Sequence, residues 1–262
     1  MQLMDKNLRN ILLILSYDGS NYHGWQVQEN ALSVQEVFQS TLEKILKESV
    51  DIKGCSRTDS FVHANMYGVS FKTFNRIKAV NLVYALNRLL PSDIAATCAR
   101  EVPLDFDARY SCKGKEYVYK IWNHRIRNPF YCNHALHYWY DLDVNYLNET
   151  AKLFIGTHDF TSFATLDKRE PRNMVRTIYD FSVTKKDNMV EITVSANGFL
   201  YNMVRILVGT LLRVAQKKFK KEDIPKIIEA RNRACAGPTA PPQGLYLNKV
   251  FYEIKDANHN EI

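Results

Sequence analysis

No apolar stretch of this chain approaches the length that spans a bilayer, and the run from Ile11 to Leu15 is too short for the apolar region of a signal peptide. A soluble, cytoplasmic protein with no membrane partner is expected. Cysteine is sparse and unpaired in pattern: the five, at 55, 98, 112, 132 and 235, are odd in number, and none has CxxC spacing. They read as reduced thiols. Cys132-Asn-His134-Ala-Leu-His137 is the one cluster resembling metal ligands, and it lacks the second half that would complete a zinc site. No metal is expected. Also missing are a Gly-rich phosphate loop, a GxSxG elbow, an HExxH helix and a Ser/His/Asp order. These absences set aside P-loop, serine-hydrolase and zinc-protease chemistry.

What is present is a basic, globular composition. The 262 residues are 46% hydrophobic and 24% charged, enough for one large or two medium domains with a sizeable core. Thirty-five basic against 28 acidic side chains leave a net charge of +7. A polyanionic partner is favoured, with nucleic acid ahead of membrane. Basic residues crowd at Lys113 to Arg127, Lys168 to Arg176 and Arg213 to Lys226. The first cluster interleaves Tyr117, Tyr119 and Trp122, which suits phosphate contact combined with base stacking. The same aromatics also fit a core, and the last cluster also fits a solvated helix face.

Taken in order, Asn10 to Tyr17 reads as a buried strand closed by Asp-Gly, and Ser20 to Gln28 as a loop. Ser33 caps a helix, with Glu36 three residues later and Val34, Val37, Phe38, Leu42, Ile45 and Leu46 at helical spacing. A strand from Asp51, a loop and a second strand from Tyr67 to Lys72 follow. A helix from Asn75 is stopped by Pro91, and a strand runs from Asp93 to Val102. Strands are expected at Asp105 to Ser111 and Lys115 to Trp122, then a helix from Asp143 and a loop from Gly156 to Phe163. A hairpin joins Val175–Thr184 to Met189–Ala196 across 185–188. Helices from about Tyr201 to Gln216 and from Glu222 to Arg231 precede a Gly/Pro-rich loop and a last strand from Leu245. The pattern is α+β: two ferredoxin- or RRM-like halves, 1–104 and 105–262, with mostly antiparallel sheets around a central catalytic cleft.

The stretch that could carry chemistry is Lys53 to Ala64, where Arg57, Asp59 and His63 lie close in sequence. A half-buried Arg57 beside Asp59 would favour the ionised carboxylate, the form that attacks as a nucleophile. Read alone, the stretch also fits a surface turn with Thr58 and Asp59 bonding their own backbone. With Asp59, arginines and tyrosines as the remaining set, a reaction on a base or sugar needing neither cofactor nor metal is the chemistry left.

Arg57-Thr58-Asp59 followed by Val62-His63-Ala64 resembles the signature loop of the tRNA pseudouridine synthase A (TruA) family. The resemblance runs almost the whole chain. It includes Tyr17-Asp18-Gly19, Tyr22 and Gly24-Trp25-Gln26 with Gln28. Further blocks are Phe106-Asp107-Ala108-Arg109 with Lys115 and Tyr117, and Gly156 with His158-Asp159-Phe160 and Ser162-Phe163. The last two are Asn197 to Arg205 with Val208-Gly209, and Ala240-Pro241-Pro242 with Gly244-Leu245. The resemblance implies that Asp59 is the catalytic carboxylate and Tyr117 the active-site tyrosine against the target base. Arg57 would replace the flipped-out nucleotide, and Arg205 would salt-bridge the carboxylate. Substrate contacts fall to Tyr117, His63, Arg57 and Lys115. The implied activity is uridine isomerisation at positions 38 to 40 of the tRNA anticodon stem-loop, by a homodimer without cofactor. Moving the uracil from an N–C to a C–C glycosidic bond changes no oxidation state, in keeping with that absence. Flipping out a stacked uridine costs on the order of a few kcal/mol, which pocket contacts must offset. Arg205 falls near the start of its helix, where the dipole disfavours a cation by roughly 0.3–1 kcal/mol. A carboxylate partner would account for it, and a side chain snorkelling to solvent is the alternative.

Two residues depart from the family pattern. Ser56 and Phe61 stand where glycines are usual, which marks the chain as a divergent paralogue. Glycine is favoured where φ is positive or backbone approaches a ligand. The alternatives kept beside the leading one are a pseudouridine synthase for another RNA or position, and a tRNA-binding paralogue whose catalysis Phe61 impairs.

Overall fold

The computed structural model describes residues 8–165 and 173–253. In chain order its main elements are β1 (Arg9–Tyr17), α1 (Val34–Leu46), β2 (Ile52–Gly54), β3 (His63–Thr73), α2 (Ala79–Leu89) and β4 (Ile94–Val102). They continue with β5 (Cys112–Asn123), β6 (Leu136–Tyr138), α3 (Val144–Lys152), β7 (Gly156–Asp159), β8 (Val175–Lys186) and β9 (Met189–Ala196). The chain closes with α4 (Met203–Ala215), α5 (Asp223–Glu229) and β10 (Leu245–Tyr252). This is the expected α+β class, with nearly all strand pairs antiparallel. Two compact units divide it: residues up to 113 together with those from 247, and residues 114–246.

In the first unit the strand order is β4-β1-β3-β10, with β2 added on β3. Leu13 of β1 faces Val69 of β3 on one side and Ala99 of β4 on the other. A strand hydrogen-bonded on both edges and covered on both faces needs an unbroken apolar run, and Ile11 to Leu15 are all buried. Helix α1 begins where the sequence indicates: the Ser33 hydroxyl accepts from the Glu36 N–H at 3.3 Å, and Val34, Phe38, Leu42 and Leu46 turn inward.

Three expectations of the first unit need correction. Helix α2 starts at Ala79 rather than Asn75, because the Asn75 side chain accepts from the Ile77 N–H at 2.8 Å and donates to the Leu46 carbonyl at 3.0 Å. That turn competes with helix. Residues 105–111 form turns, not a strand: Asp107 Oδ1 accepts from the N–H groups of Arg109 and Tyr110 at 2.7 and 3.0 Å. Strand β3 begins four residues earlier than read, at His63.

The second unit has the order β5-β9-β8-β7, with β6 lying parallel to β5. Gly156 to Asp159, read as loop, pairs with Ile178 to Val175 as β7. Asp143 caps α3 by accepting from the Tyr146 N–H at 3.0 Å. Phe154, Phe160, Phe163 and Phe181 form the core beneath the sheet. Helix α4 is buried on almost every side, and Gly209 within it admits the Pro238 carbonyl where any Cβ would collide. Among the described residues, no helix is long and apolar enough to cross a membrane.

Candidate active site

Asp59 lies in the segment joining β2 to β3, and the opening block of the chain moulds that segment. On its outer side, the Trp25 N–H donates to the Thr58 carbonyl at 3.2 Å, and the Phe61 N–H donates to the Tyr22 carbonyl at 3.1 Å. Beneath it, the hydroxyls of Thr58 and Tyr17 share a buried hydrogen bond of 2.8 Å, and the Tyr67 hydroxyl donates to the Ser56 carbonyl. Trp25 stacks on Tyr67 with centroids 4.1 Å apart, and Tyr17 packs against both rings. Glycine is required at two points of this fit. At Gly24 φ is +87°, and a Cβ would stand 2.5 Å from the Thr58 carbonyl oxygen; at Gly19 it would fall on the Val62 carbonyl.

His63 is buried at the start of β3. Its Nδ1 lies 3.0 Å from the Gly19 nitrogen and 3.0 Å from Asp18 Oδ1. Neutral, that nitrogen accepts from Gly19; protonated, it donates to Asp18. Either state ties the signature loop to the opening block. Asp93 holds the block from the other end, accepting from the Tyr22 hydroxyl at 2.7 Å and from Asn21 at 3.1 Å. Burial, and then this bond to Asp93, push the Tyr22 phenol far above its ordinary range.

Asp59 itself is half-buried, and its carbonyl accepts from the Val62 N–H at 3.2 Å, closing a four-residue turn. Phe61 is the third residue of that turn, with φ of 63°, the position where a type II turn takes glycine. Arg57, expected half-buried, is exposed.

In the second unit, Tyr117 lies on β5 opposite Val194 and is only 6% exposed. Phe199 meets its ring edge-on, centroids 5.1 Å apart and planes at 85°. Sequence reading did not single out Phe199, although it belongs to the Asn197-to-Arg205 block. Lys115, two residues before Tyr117, is half-buried on the same side of the strand. Tyr119 is fully buried with its hydroxyl donating to the Pro241 carbonyl at 2.8 Å, so core packing accounts for it. Burial pushes its phenol far up, an effect that the nearby Arg205 charge partly offsets.

Arg205 is the third residue of α4 and half-buried. Its Nε donates to the Ala240 carbonyl at 2.7 Å and its Nη1 to Asn202 Oδ1 at 3.0 Å. The Ala240 N–H returns a bond to the Arg205 carbonyl at 3.0 Å, so the 240–242 block clamps this side chain. The snorkelling alternative does not describe it. Of the basic clusters, 213–226 contributes Arg213 and Lys218, with Arg233, to a cavity of about 460 Å³. Lys168 to Arg172 lie outside the described residues. Thus Arg57, Asp59 and His63 share one segment of the first unit, while Lys115, Tyr117 and Arg205 belong to the second.

A family model described as tRNA pseudouridine synthase matches residues 13–111 and 150–253. The chain belongs to the tRNA pseudouridine synthase family. A relative named tRNA pseudouridine synthase A from Ruminiclostridium cellulolyticum is 47% identical over 246 residues, 94% of this chain and 100% of its own. One of the same name from Thermoanaerobacter sp. (strain X514) is 44% identical over 245 residues, with the same coverage. The tRNA pseudouridine synthase A 2 of Clostridium tetani is 44% identical over 249 residues, 93% of this chain and 99% of its own. A chain from the crystal structure of a Cbf5-Nop10-Gar1 complex aligns at TM-score 0.36 and 12% identity, over 77% of this chain and 53% of that one. That likeness is too weak to bear on function.

Family blocks of the second unit have structural reasons of their own. Burial would push the Asp159 carboxyl up, but Thr161 donates to Oδ1 through both N–H and hydroxyl, at 3.0 and 2.5 Å, and Arg231 adds its charge. The net result is a carboxyl below its usual range that fixes the turn into Phe160 and Phe163.

Proposed function

We propose that this pseudouridine synthase isomerises uridine at positions 38 to 40 of the tRNA anticodon stem-loop, with Asp59 as nucleophile. In the reaction the N1–C1′ bond breaks, C5 bonds to C1′, the C5 proton leaves and N1 gains one. Atoms balance without oxidant or reductant, and the carboxylate is regenerated. Attack at the base or at the ribose draws on this same side chain. Tyr117 lies against the target base, Arg57 takes the place of the flipped-out nucleotide, Lys115 contacts the RNA, and His63 acts through the segment it anchors. The resemblance to the family assigns Arg205 as the partner of the catalytic carboxylate.

The observation that carries the reading is the convergence on the 56–61 segment of bonds from Tyr17, Tyr22, Trp25 and Tyr67. So many restraints on a short connection suit a side chain that must be held in a fixed attacking position. Phe61 keeps the glycine-like backbone of its turn, which supports retained chemistry over a paralogue that only binds RNA. The cavity edged by Arg213, Lys218 and Arg233 suits phosphate contact. Ile126, Phe130, Trp139 and Tyr140 are large apolar groups left exposed, Phe130 to 87%, which suits a surface covered by a second copy.

The test is incubation of the full chain with a complete set of unmodified tRNAs, followed by mapping of pseudouridine through carbodiimide adducts. New adducts at positions 38 to 40 are expected. Adducts confined to other tRNA positions would favour the altered-target reading, and none on tRNA, with none on total cellular RNA treated alike, would leave a binding protein. Sedimentation at a monomer's mass would remove the second copy.

A further inference from the structure

Phe61 is costly where it stands. Its φ of 63° lies in the left-handed region that a Cβ disfavours and glycine accepts. The interior gives little in return, since the residue is 44% exposed. Its backbone is nonetheless fixed by the bond to the Tyr22 carbonyl and by the turn between Asp59 and Val62. Beside it stands the exposed ring of His23, centroids 6.0 Å apart and planes at 54°. The His23 backbone is pinned as well: its N–H donates to the Leu32 carbonyl at 2.9 Å, and its carbonyl accepts from Gln28 Nε2 at 2.7 Å. Two exposed rings thus sit on immobilised backbone, one of them two residues from Asp59. Strain kept at an exposed position, with no burial to offset it, is the pattern of a group held ready for a ligand.

We propose that Phe61 and His23 form a stacking platform for an RNA base flanking the target uridine. A nucleobase is the occupant that the surroundings favour. The chain carries a net charge of +7, and the cationic side chain of Arg57 lies exposed four residues earlier. Aromatic faces take any base, and each stacked base is worth about 5- to 150-fold in affinity. The platform rests on the reading of Asp59 as the reacting group, because its place beside that residue defines which base it meets.

The test uses the full chain carrying Asp59→Ala, so that no turnover consumes substrate, and an unmodified tRNA transcript as probe at fixed salt. Phe61→Gly is expected to melt at or above the parent's temperature, because the strain is relieved. It should nevertheless bind the transcript at least about 5-fold more weakly. Phe61→Leu, which keeps apolar bulk but cannot stack, should weaken binding as much, and Phe61→Trp should preserve it. His23→Ala should show a smaller loss. With Asp59 intact, the Phe61→Gly defect should fall on KM rather than kcat. Glycine and leucine variants that bind within about twofold of the parent would overturn the platform. So would a tryptophan variant as weak as the glycine one. Since binding is read without the carboxylate, an Asp59→Ala protein that still isomerised would defeat the nucleophile reading and leave these results to stand separately.

Discussion

Tyr17 is buried, and its hydroxyl makes a bond to Thr58, next to the proposed nucleophile Asp59. Replacing it with phenylalanine leaves the ring stack on Trp25 and Tyr67 but strips Thr58 of that partner. Tyr17→Phe should therefore lower stability by about 1–3 kcal/mol, read as a lower urea midpoint at unchanged slope. A midpoint equal to wild type would mean the bond contributes nothing. At this scale the sequence was informative about identity and silent about conformation. Arg57, Asp59 and His63 were legible because their spacing matches a known loop. That Phe61 takes a positive φ was legible only through the glycine it replaces, and that Arg57 is exposed was not legible, since exposure depends on chain distant in sequence. Phe199 carries no sign in the sequence of the ring it meets, because that partner, Tyr117, belongs to the distant strand β5.

Among the elements, α1 was the easiest to read because its signals are local: a serine cap, a glutamate three residues on, and apolar residues on one face. Its far end shows a device with a measurable consequence. The Glu43 carboxylate accepts from the Val50 N–H at 3.1 Å, and also from Gln39 at 3.3 Å and Ser49 at 3.1 Å, binding the helix to the approach to β2. The Val50 bond first, then those of the two side chains, hold its carboxyl below the ordinary 4.5. A carboxyl depressed by folding contributes stability above its unfolded pKa and loses it as pH falls through the folded one. Wild type should thus lose stability faster than Glu43→Gln below about pH 4.5. Parallel acid-melting curves for the two would contradict this. The elements read wrongly failed where side chains compete with the backbone. Asn75 and Asp107 each bond nearby N–H groups, which delays α2 and abolishes the strand at 105–111. Strand β7 carries a loop signal in the sequence because a glycine at φ +115° opens it, and only pairing with β8 makes it a strand.

Across the whole molecule, the same family blocks fall into two kinds. Some hold Asp59, as Tyr17 to Trp25 do in the first unit. Others build the frame of the second unit, as Gly156 to Phe163 and Ala240 to Pro242 do. The net charge of +7 and the cavity edged by arginines and lysine suit a large anionic substrate. The central claim is narrower: one carboxylate performs the isomerisation. Joining C5 to C1′ must release the C5 hydrogen, so tRNA carrying tritium at uridine C5 reports the reaction directly. Asp59→Asn should bind this tRNA as wild type does and release tritium at least about a thousandfold more slowly. A variant that binds normally and releases tritium at close to the wild-type rate would contradict the account.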